Sequence, residues 1–181
     1  EVIPVGEALD WTLQVVSALE YLHDQKPPVF HRDIKPANIR ITPAGKAMLV
    51  DFGLVKIFDP YLTNTTEGAR AVTPGYAPPE QYGRGGTDAR TDIYALGATL
   101  YTLITGHEPV ESVRRMVGEH LPTAHSINPD VPLFLSDALD RAMALDPKAR
   151  FQTASALREI LQVVRAQFEK SRTPSAPRRL A

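Results

Sequence analysis

The sequence predicts a mainly α-helical domain with one small β-hairpin, an α+β fold. Several segments repeat apolar residues at the spacing of a helix, and two short apolar stretches flank a Pro-Ala-Gly turn. The chain has 181 residues, of which 43% are hydrophobic. That length is enough for one domain with its own core.

The N-terminal segment is predicted to form an amphipathic helix followed by the hairpin. The helix covers residues 7–24 and ends before Pro27 and Pro28, because proline cannot continue a helix. Its buried stripe comprises Leu9, Leu13, Val16, Leu19 and Leu22. Residues 38–42 and 46–50 are the predicted strands, joined at residues 43–45.

Residues 51–82 are predicted to form a long ordered loop, and loops of this length are usually functional. Thr87 and Asp88 offer an N-cap for a largely buried helix over residues 90–105, which Gly106 ends. Further helices are predicted near residues 108–118, 133–144 and 153–168. The predicted domain covers residues 1–170, and residues 171–181 are predicted to be a flexible linker or tail.

The composition excludes several classes of function. A net charge of −1 gives no basic surplus for general nucleic-acid binding. The absence of cysteine excludes disulfides and thiolate zinc sites, and fits a cytoplasmic protein. The longest apolar run, residues 93–104, is too short to span a bilayer, so no membrane segment is predicted.

Five short motifs concentrate polar side chains. They are His31 to Asn38 (HRDIKPAN), Asp51 to Gly53 (DFG), Thr73 to Glu80 (TPGYAPPE), Asp92 to Gly97 (DIYALG) and Asp146 to Phe151 (DPKARF). Phosphoryl transfer needs a carboxylate for the incoming hydroxyl, oxygen ligands for Mg²⁺ and a cation near the phosphoryl group. Asp33 suits the first task, Asn38 and Asp51 the second, and Lys35 the third.

In order and spacing, these motifs resemble the catalytic loop, metal-binding loop and activation segment of protein kinases. The resemblance extends from residue 7 to about residue 168 and is closest to bacterial serine/threonine kinases. It implies the C-terminal lobe of a kinase-like fold. The N-terminal lobe is expected to be missing, since no glycine-rich loop precedes His31 and the only lysine there is Lys26.

The resemblance also implies roles for individual residues in catalysis. Asp33 would be the catalytic base, Lys35 would contact the γ-phosphate of ATP, and Asn38 and Asp51 would bind Mg²⁺ or Mn²⁺. Arg40 occupies the position under the adenine ring, where its aliphatic stem would pack. Thr73 would hydrogen-bond to Asp33 and Lys35 and line the pocket for the protein substrate.

A second set of residues would have structural roles. His31 and Phe52 would stack, Asp92 would brace the backbone near His31, and Glu80 would pair with Arg150. The candidate phosphorylation sites of the activation loop are Thr63, Thr65 and Thr66, whose phosphate would pair with Arg32.

The predicted function is therefore phosphoryl transfer from Mg-ATP to serine or threonine of protein substrates, in signalling. Lys35 and Thr73 match the serine/threonine branch of the family rather than the tyrosine branch. Expected partners are ATP, protein substrates, the N-terminal lobe and, for autophosphorylation in trans, a second copy in a homodimer. The alternatives are a pseudokinase or a truncated lobe that acts as an interaction scaffold. Residues 1–181 alone are expected to be inactive.

Overall fold

Helices dominate the part of the chain that this computed structural model describes, residues 2–52, 56–57, 72–83 and 86–172. Seven helices and four short strands occur there in the order α1 (Val5–His23), β1 (Val29–Phe30), β2 (Ile39–Ile41), β3 (Ala47–Leu49), β4 (Lys56–Ile57), α2 (Pro79–Tyr82), α3 (Ala89–Thr105), α4 (Ser112–Met116), α5 (Ala124–Ile127), α6 (Leu133–Ala142) and α7 (Ala154–Arg172). The predicted α+β class with a small hairpin is confirmed.

Helix α3 lies at the centre of the core. The side chain of Asp88 caps it by accepting a hydrogen bond from the backbone N–H of Arg90, and Gly106 ends it with a positive φ of 73°. Both features were predicted. Helices α1, α6 and α7 pack around it. At Gly97, a Cβ atom would come within 2.9 Å of the Ala142 Cβ, so glycine lets α3 and α6 approach closely.

The predicted hairpin is present and slightly shorter than expected. Strands β2 and β3 are antiparallel, with Ile39 opposite Leu49 and Arg40 opposite Met48. Gly45 adopts a φ of 75° in the connecting turn, a conformation that glycine takes at little cost. The hairpin lies against α1 and directly follows the loop that carries the motif His31 to Asn38.

The sequence prediction missed the second pair of strands. Residues Val29–Phe30 pair antiparallel with Lys56–Ile57, inside the segment that was predicted to be loop. Two residues are too few to produce a recognisable alternation of apolar and polar side chains, so this pairing left no pattern. Helix α5 and the four-residue helix α2 escaped prediction for the same reason.

Some predicted boundaries were wrong. The helix expected at residues 108–118 is only Ser112–Met116, because Pro109 precedes it and Gly118, at a φ of 100°, follows it. Helix α6 ends at Ala142 rather than at residue 144. Helix α7 continues to Arg172, which is two residues into the predicted linker, and residues 173–181 lie outside the described part.

None of the helices in the described residues is both long enough and apolar enough to cross a membrane.

Candidate active site

The carboxylate of Asp33 is the centre of a connected polar cluster. One oxygen, Oδ1, accepts a hydrogen bond from the Thr73 hydroxyl at 2.7 Å. The other, Oδ2, lies 2.9 Å from the Asn38 amide nitrogen and 2.9 Å from the Lys35 ammonium. These three partners fix the orientation of the carboxylate, and the Asp33 side chain keeps 13% of its surface exposed. The carboxylate is therefore not completely closed off from solvent.

The cluster joins two distant segments of the chain. Asp33, Lys35 and Asn38 lie in one loop between β1 and β2, whereas Thr73 follows 40 residues after Asp33. The Thr73 hydroxyl also accepts a hydrogen bond from the Lys35 ammonium at 3.0 Å. Both contacts that were expected of Thr73 are thus present, and it bridges the acid and the cation.

Asn38 lies at the end of a 3₁₀ turn, Pro36–Asn38, and is almost completely buried. Its amide nitrogen donates to the Asp33 backbone carbonyl at 2.7 Å as well as to the Asp33 carboxylate. This orientation uses the amide nitrogen within the cluster and leaves the amide oxygen as the atom for a ligand. The Asn38 side chain is thus oriented with its amide oxygen available, and oxygen is the atom that binds Mg²⁺.

Asp51 lies beside Asn38 because the hairpin returns the chain to its starting point. The backbone N–H of Val50 donates to the Asn38 carbonyl at 2.9 Å, and Asp51 is the next residue. Its φ is 62°, which is unusual for a residue other than glycine. Such left-handed residues are enriched at functional sites.

Asn38 and Asp51 fit Mg²⁺. Both offer oxygen donors, and Mg²⁺ in phosphoryl-transfer sites typically takes one or two protein oxygens together with water and substrate phosphates. The described residues contain no group of three or more His, Cys, Asp or Glu side chains placed to hold a metal by themselves.

Asp92, at the start of α3, holds the catalytic loop from behind. Its side chain is fully buried, and it accepts hydrogen bonds from the backbone N–H of His31 at 2.9 Å and of Arg32 at 2.7 Å. Arg32 has a φ of 68°. A non-glycine residue in that region costs about 1–3 kcal/mol and persists only when its surroundings hold it.

His31 connects this loop to the hairpin. Its ring nitrogen Nε2 lies 3.2 Å from the Val50 carbonyl oxygen, and its ring meets Phe52 edge-on at a centroid distance of 5.0 Å. The predicted stacking contact is therefore present. Phe52 is 49% exposed, so one side of the stack is open to solvent in this chain.

Arg150 and Glu80 form the expected pair, deep in the lobe. Two guanidinium nitrogens reach the two carboxylate oxygens at 2.6 and 3.0 Å, and the Arg150 side chain is fully buried. Its remaining donors reach the backbone carbonyls of Ala144, Leu145 and Arg90. The guanidinium also lies 5.0 Å above the ring of Tyr94, and burial raises the pKa of that phenol, which therefore stays neutral.

Two polar contacts in this region were not predicted. His23, at the end of α1, lies 2.9 Å from Asp92, and the Gln81 amide nitrogen donates to the Arg32 carbonyl at 2.8 Å. The partners are 69 and 49 residues apart, so no local pattern marks either contact.

The remaining predicted residues are placed as follows. Arg40 is exposed on β2, opposite Met48, which is also exposed. The candidate phosphorylation sites Thr63, Thr65 and Thr66 lie outside the described residues.

Comparison with known proteins assigns the family. The protein kinase domain matches residues 1–162. This chain belongs to the protein kinase family. The kinase PrkC of Bacillus subtilis is 37% identical over 155 residues, which cover 82% of this chain and 23% of that protein. A probable serine/threonine-protein kinase of Clostridium perfringens is 35% identical over 161 residues, covering 84% of this chain and 23% of the relative.

Comparison with solved structures also finds kinase domains. The kinase domain of Mycobacterium tuberculosis PknI superposes with a TM-score of 0.67 at 31% identity. The match covers 90% of this chain and 56% of that domain, in keeping with one lobe of the kinase fold. The chain thus spans about a quarter of the length of its curated relatives and just over half of this solved kinase domain.

Proposed function

We propose that the protein transfers the γ-phosphoryl group of ATP to serine or threonine hydroxyls of protein substrates. The observation that carries this proposal is the convergence of Lys35, Asn38 and Thr73 on one carboxylate, that of Asp33. The cluster is mostly buried but keeps Asp33 and Lys35 partly exposed, as a site that reacts with an incoming group requires. Phosphoryl transfer needs this arrangement, since positioning and electrostatics account for most of its catalysis.

Asp33 would orient the substrate hydroxyl and accept its proton as the oxygen attacks phosphorus. The hydrogen bond from Thr73 holds one carboxylate oxygen in place, and Asn38 holds the other. Lys35 is within reach of both Asp33 and Thr73, so its ammonium lies where the negative charge of the migrating phosphoryl group would develop.

Asn38 and Asp51 would hold the Mg²⁺ ion that accompanies ATP. When bound, the ion neutralises charge on the phosphate oxygens. The residues of this chain contribute an amide oxygen at the end of the 3₁₀ turn and a carboxylate at the end of the hairpin, two positions that the Val50–Asn38 hydrogen bond keeps together. Arg40 and Met48, exposed on the same hairpin, would lie under the purine ring.

Specificity for serine and threonine follows from the same cluster. Lys35 lies two positions after Asp33 and is bound to Thr73, so the segment beginning at Thr73 lies against the catalytic loop. Lys35 and Thr73 are also the residues that match the serine/threonine branch of the family. A rival function as a scaffold has no chemical requirement for Asp33, Lys35, Asn38 and Asp51 together.

The test is transfer of radiolabelled phosphate from ATP by the full-length protein to matched serine, threonine and tyrosine peptides. We expect transfer to the serine and threonine peptides, and we expect it to stop when Mg²⁺ is chelated.

Asp51→Asn removes one charge from the metal site and should lower transfer by a factor of hundreds or more. Asp137→Asn, an exposed site on α6, is the matched control and should leave transfer unchanged. Equal activity of Asp51→Asn and the wild type would contradict the proposal.

A further inference from the structure

The backbone of Arg32 is held from two sides, through its N–H and through its carbonyl. Arg32 has a left-handed φ of 68°, so this part of the catalytic loop depends on its surroundings for its shape. Its backbone N–H donates to Asp92 at 2.7 Å. Its carbonyl accepts a hydrogen bond from the Gln81 side-chain amide at 2.8 Å. Gln81 therefore acts on the peptide group that directly precedes Asp33.

Gln81 is held firmly enough that a shift of α2 would move the Arg32 carbonyl as well. Only 7% of its surface is exposed, so its amide is held by packing as well as by the hydrogen bond. It lies in α2, a helix of four residues that is too short to be stable by itself. The residue before it, Glu80, anchors α2 to the core through Arg150 and accepts a further hydrogen bond from Thr91 at 3.1 Å.

The segment from Thr73 to Gln81 thus touches the catalytic loop at two points. Thr73 binds the side chain of Asp33, whereas Gln81 binds the backbone just before it. One contact sets the rotation of the carboxylate, and the other sets the position of the residue that carries it. A displacement of α2 would reach Asp33 through Gln81.

We propose that Gln81 is a positioning residue for phosphoryl transfer, which couples α2 to the placement of Asp33. The inference rests on the proposed kinase function. Its consequence is specific: loss of the Gln81 hydrogen bond lowers the rate of the chemical step. ATP binding changes little, because Gln81 binds the backbone before Asp33 and none of the candidate nucleotide ligands.

Two substitutions separate the hydrogen bond from the packing. Gln81→Met keeps a side chain of similar length and lacks the donor, and Gln81→Glu keeps the shape and presents only acceptors to the Arg32 carbonyl. Gln25→Met is the matched control, since the Gln25 amide also donates to a backbone carbonyl, that of Tyr21, which lies outside the loop.

In the full-length protein we expect kcat to fall about tenfold or more in both Gln81 variants, with KM for ATP within about twofold. Gln25→Met should match the wild type.

A second measurement uses the 181-residue chain and needs no activity. Amide hydrogen exchange at Arg32 and Asp33 should become about tenfold faster in Gln81→Met, while exchange in α3 stays unchanged. Unchanged exchange at these two amides, or an unchanged kcat in both variants of an active enzyme, would overturn the proposal. A wild-type protein that transfers no phosphate would instead refute the kinase function, and the exchange result would still show whether Gln81 holds the peptide.

Discussion

The front and the back of the catalytic loop differ in burial and in chemistry. At the front, Asp33 and Lys35 remain partly exposed and bind one another and Thr73. At the back, Asp92 is fully buried and accepts hydrogen bonds from backbone N–H groups of the loop. Deeper in the lobe, the fully buried Arg150 pairs with Glu80 and donates to three backbone carbonyls. The front therefore presents reactive groups, and the back fixes the backbone that carries them.

This difference separates stability from catalysis. A fully buried charge that loses its partner destabilises the fold strongly, whereas a group that keeps some contact with solvent is less costly to change. Substitutions at the back should thus lower mainly the free energy of unfolding, and those at the front should lower mainly turnover.

Arg150→Ala should have the largest effect. It leaves the Glu80 carboxylate without its bidentate partner and several backbone carbonyls without their donors, so we expect a loss of about 3–5 kcal/mol in the free energy of unfolding. Chemical denaturation of the 181-residue chain measures it. The control is Arg165→Ala, which removes partly exposed pairs with Asp10 and Glu169 and should cost less than about 1 kcal/mol. Equal midpoints for the two variants would show that burial does not distinguish them.

Asp92→Asn should have an intermediate effect. The new amide nitrogen cannot accept, so a backbone donor of His31 or Arg32 loses its acceptor, at a cost of about 1–3 kcal/mol. Denaturation should reveal this loss, and turnover of the full-length protein should fall as well because the catalytic loop loosens. If stability fell and turnover did not, the back of the loop would not control the front.

Asp88→Asn should have a small effect that depends on pH. Burial alone would raise the pKa of the Asp88 carboxyl, but its hydrogen bonds and ion pair with Arg90 outweigh burial and lower it. A lowered pKa in the folded state contributes stability above the unfolded pKa, and that contribution is lost as pH falls through the folded pKa. We expect the wild type to exceed Asp88→Asn by at most about 1 kcal/mol at neutral pH, and the difference to vanish in acid. A difference that persists in acid would point to capping geometry instead of charge.

The sequence predicts the front of the loop and, through the family resemblance, the Asp92 brace and the Glu80–Arg150 pair at the back as well. Asp33, Lys35, Asn38 and Asp51 fall in contiguous motifs, so reading them together anticipates both the hairpin and the polar cluster. The long helices also follow from periodicity and from Asp88 and Gly106 at the ends of α3.

Other contacts behind the loop depend on tertiary structure. Gln81 and His23 carry no local pattern, because each acquires its partner only when segments 49 and 69 residues apart meet. The pairing of β1 with β4 and the helices α2 and α5 are too short for any periodicity to show. The shortened α4 reflects Pro109 before it and Gly118 after it, which limit the helix on both sides.

The most direct test of the separation between front and back is Asp33→Asn, measured for stability and turnover together. The substitution keeps the shape of the side chain and removes the proton acceptor. The new amide nitrogen cannot accept from Thr73 or Asn38, so we predict a loss of about 1–3 kcal/mol in stability, smaller than for Arg150→Ala, in a chain that stays folded. Phosphate transfer by the full-length protein should fall hundreds-fold or more. Transfer at the wild-type rate would contradict the assignment of Asp33, and a loss of stability as large as that of Arg150→Ala would contradict the division between a catalytic front and a structural back.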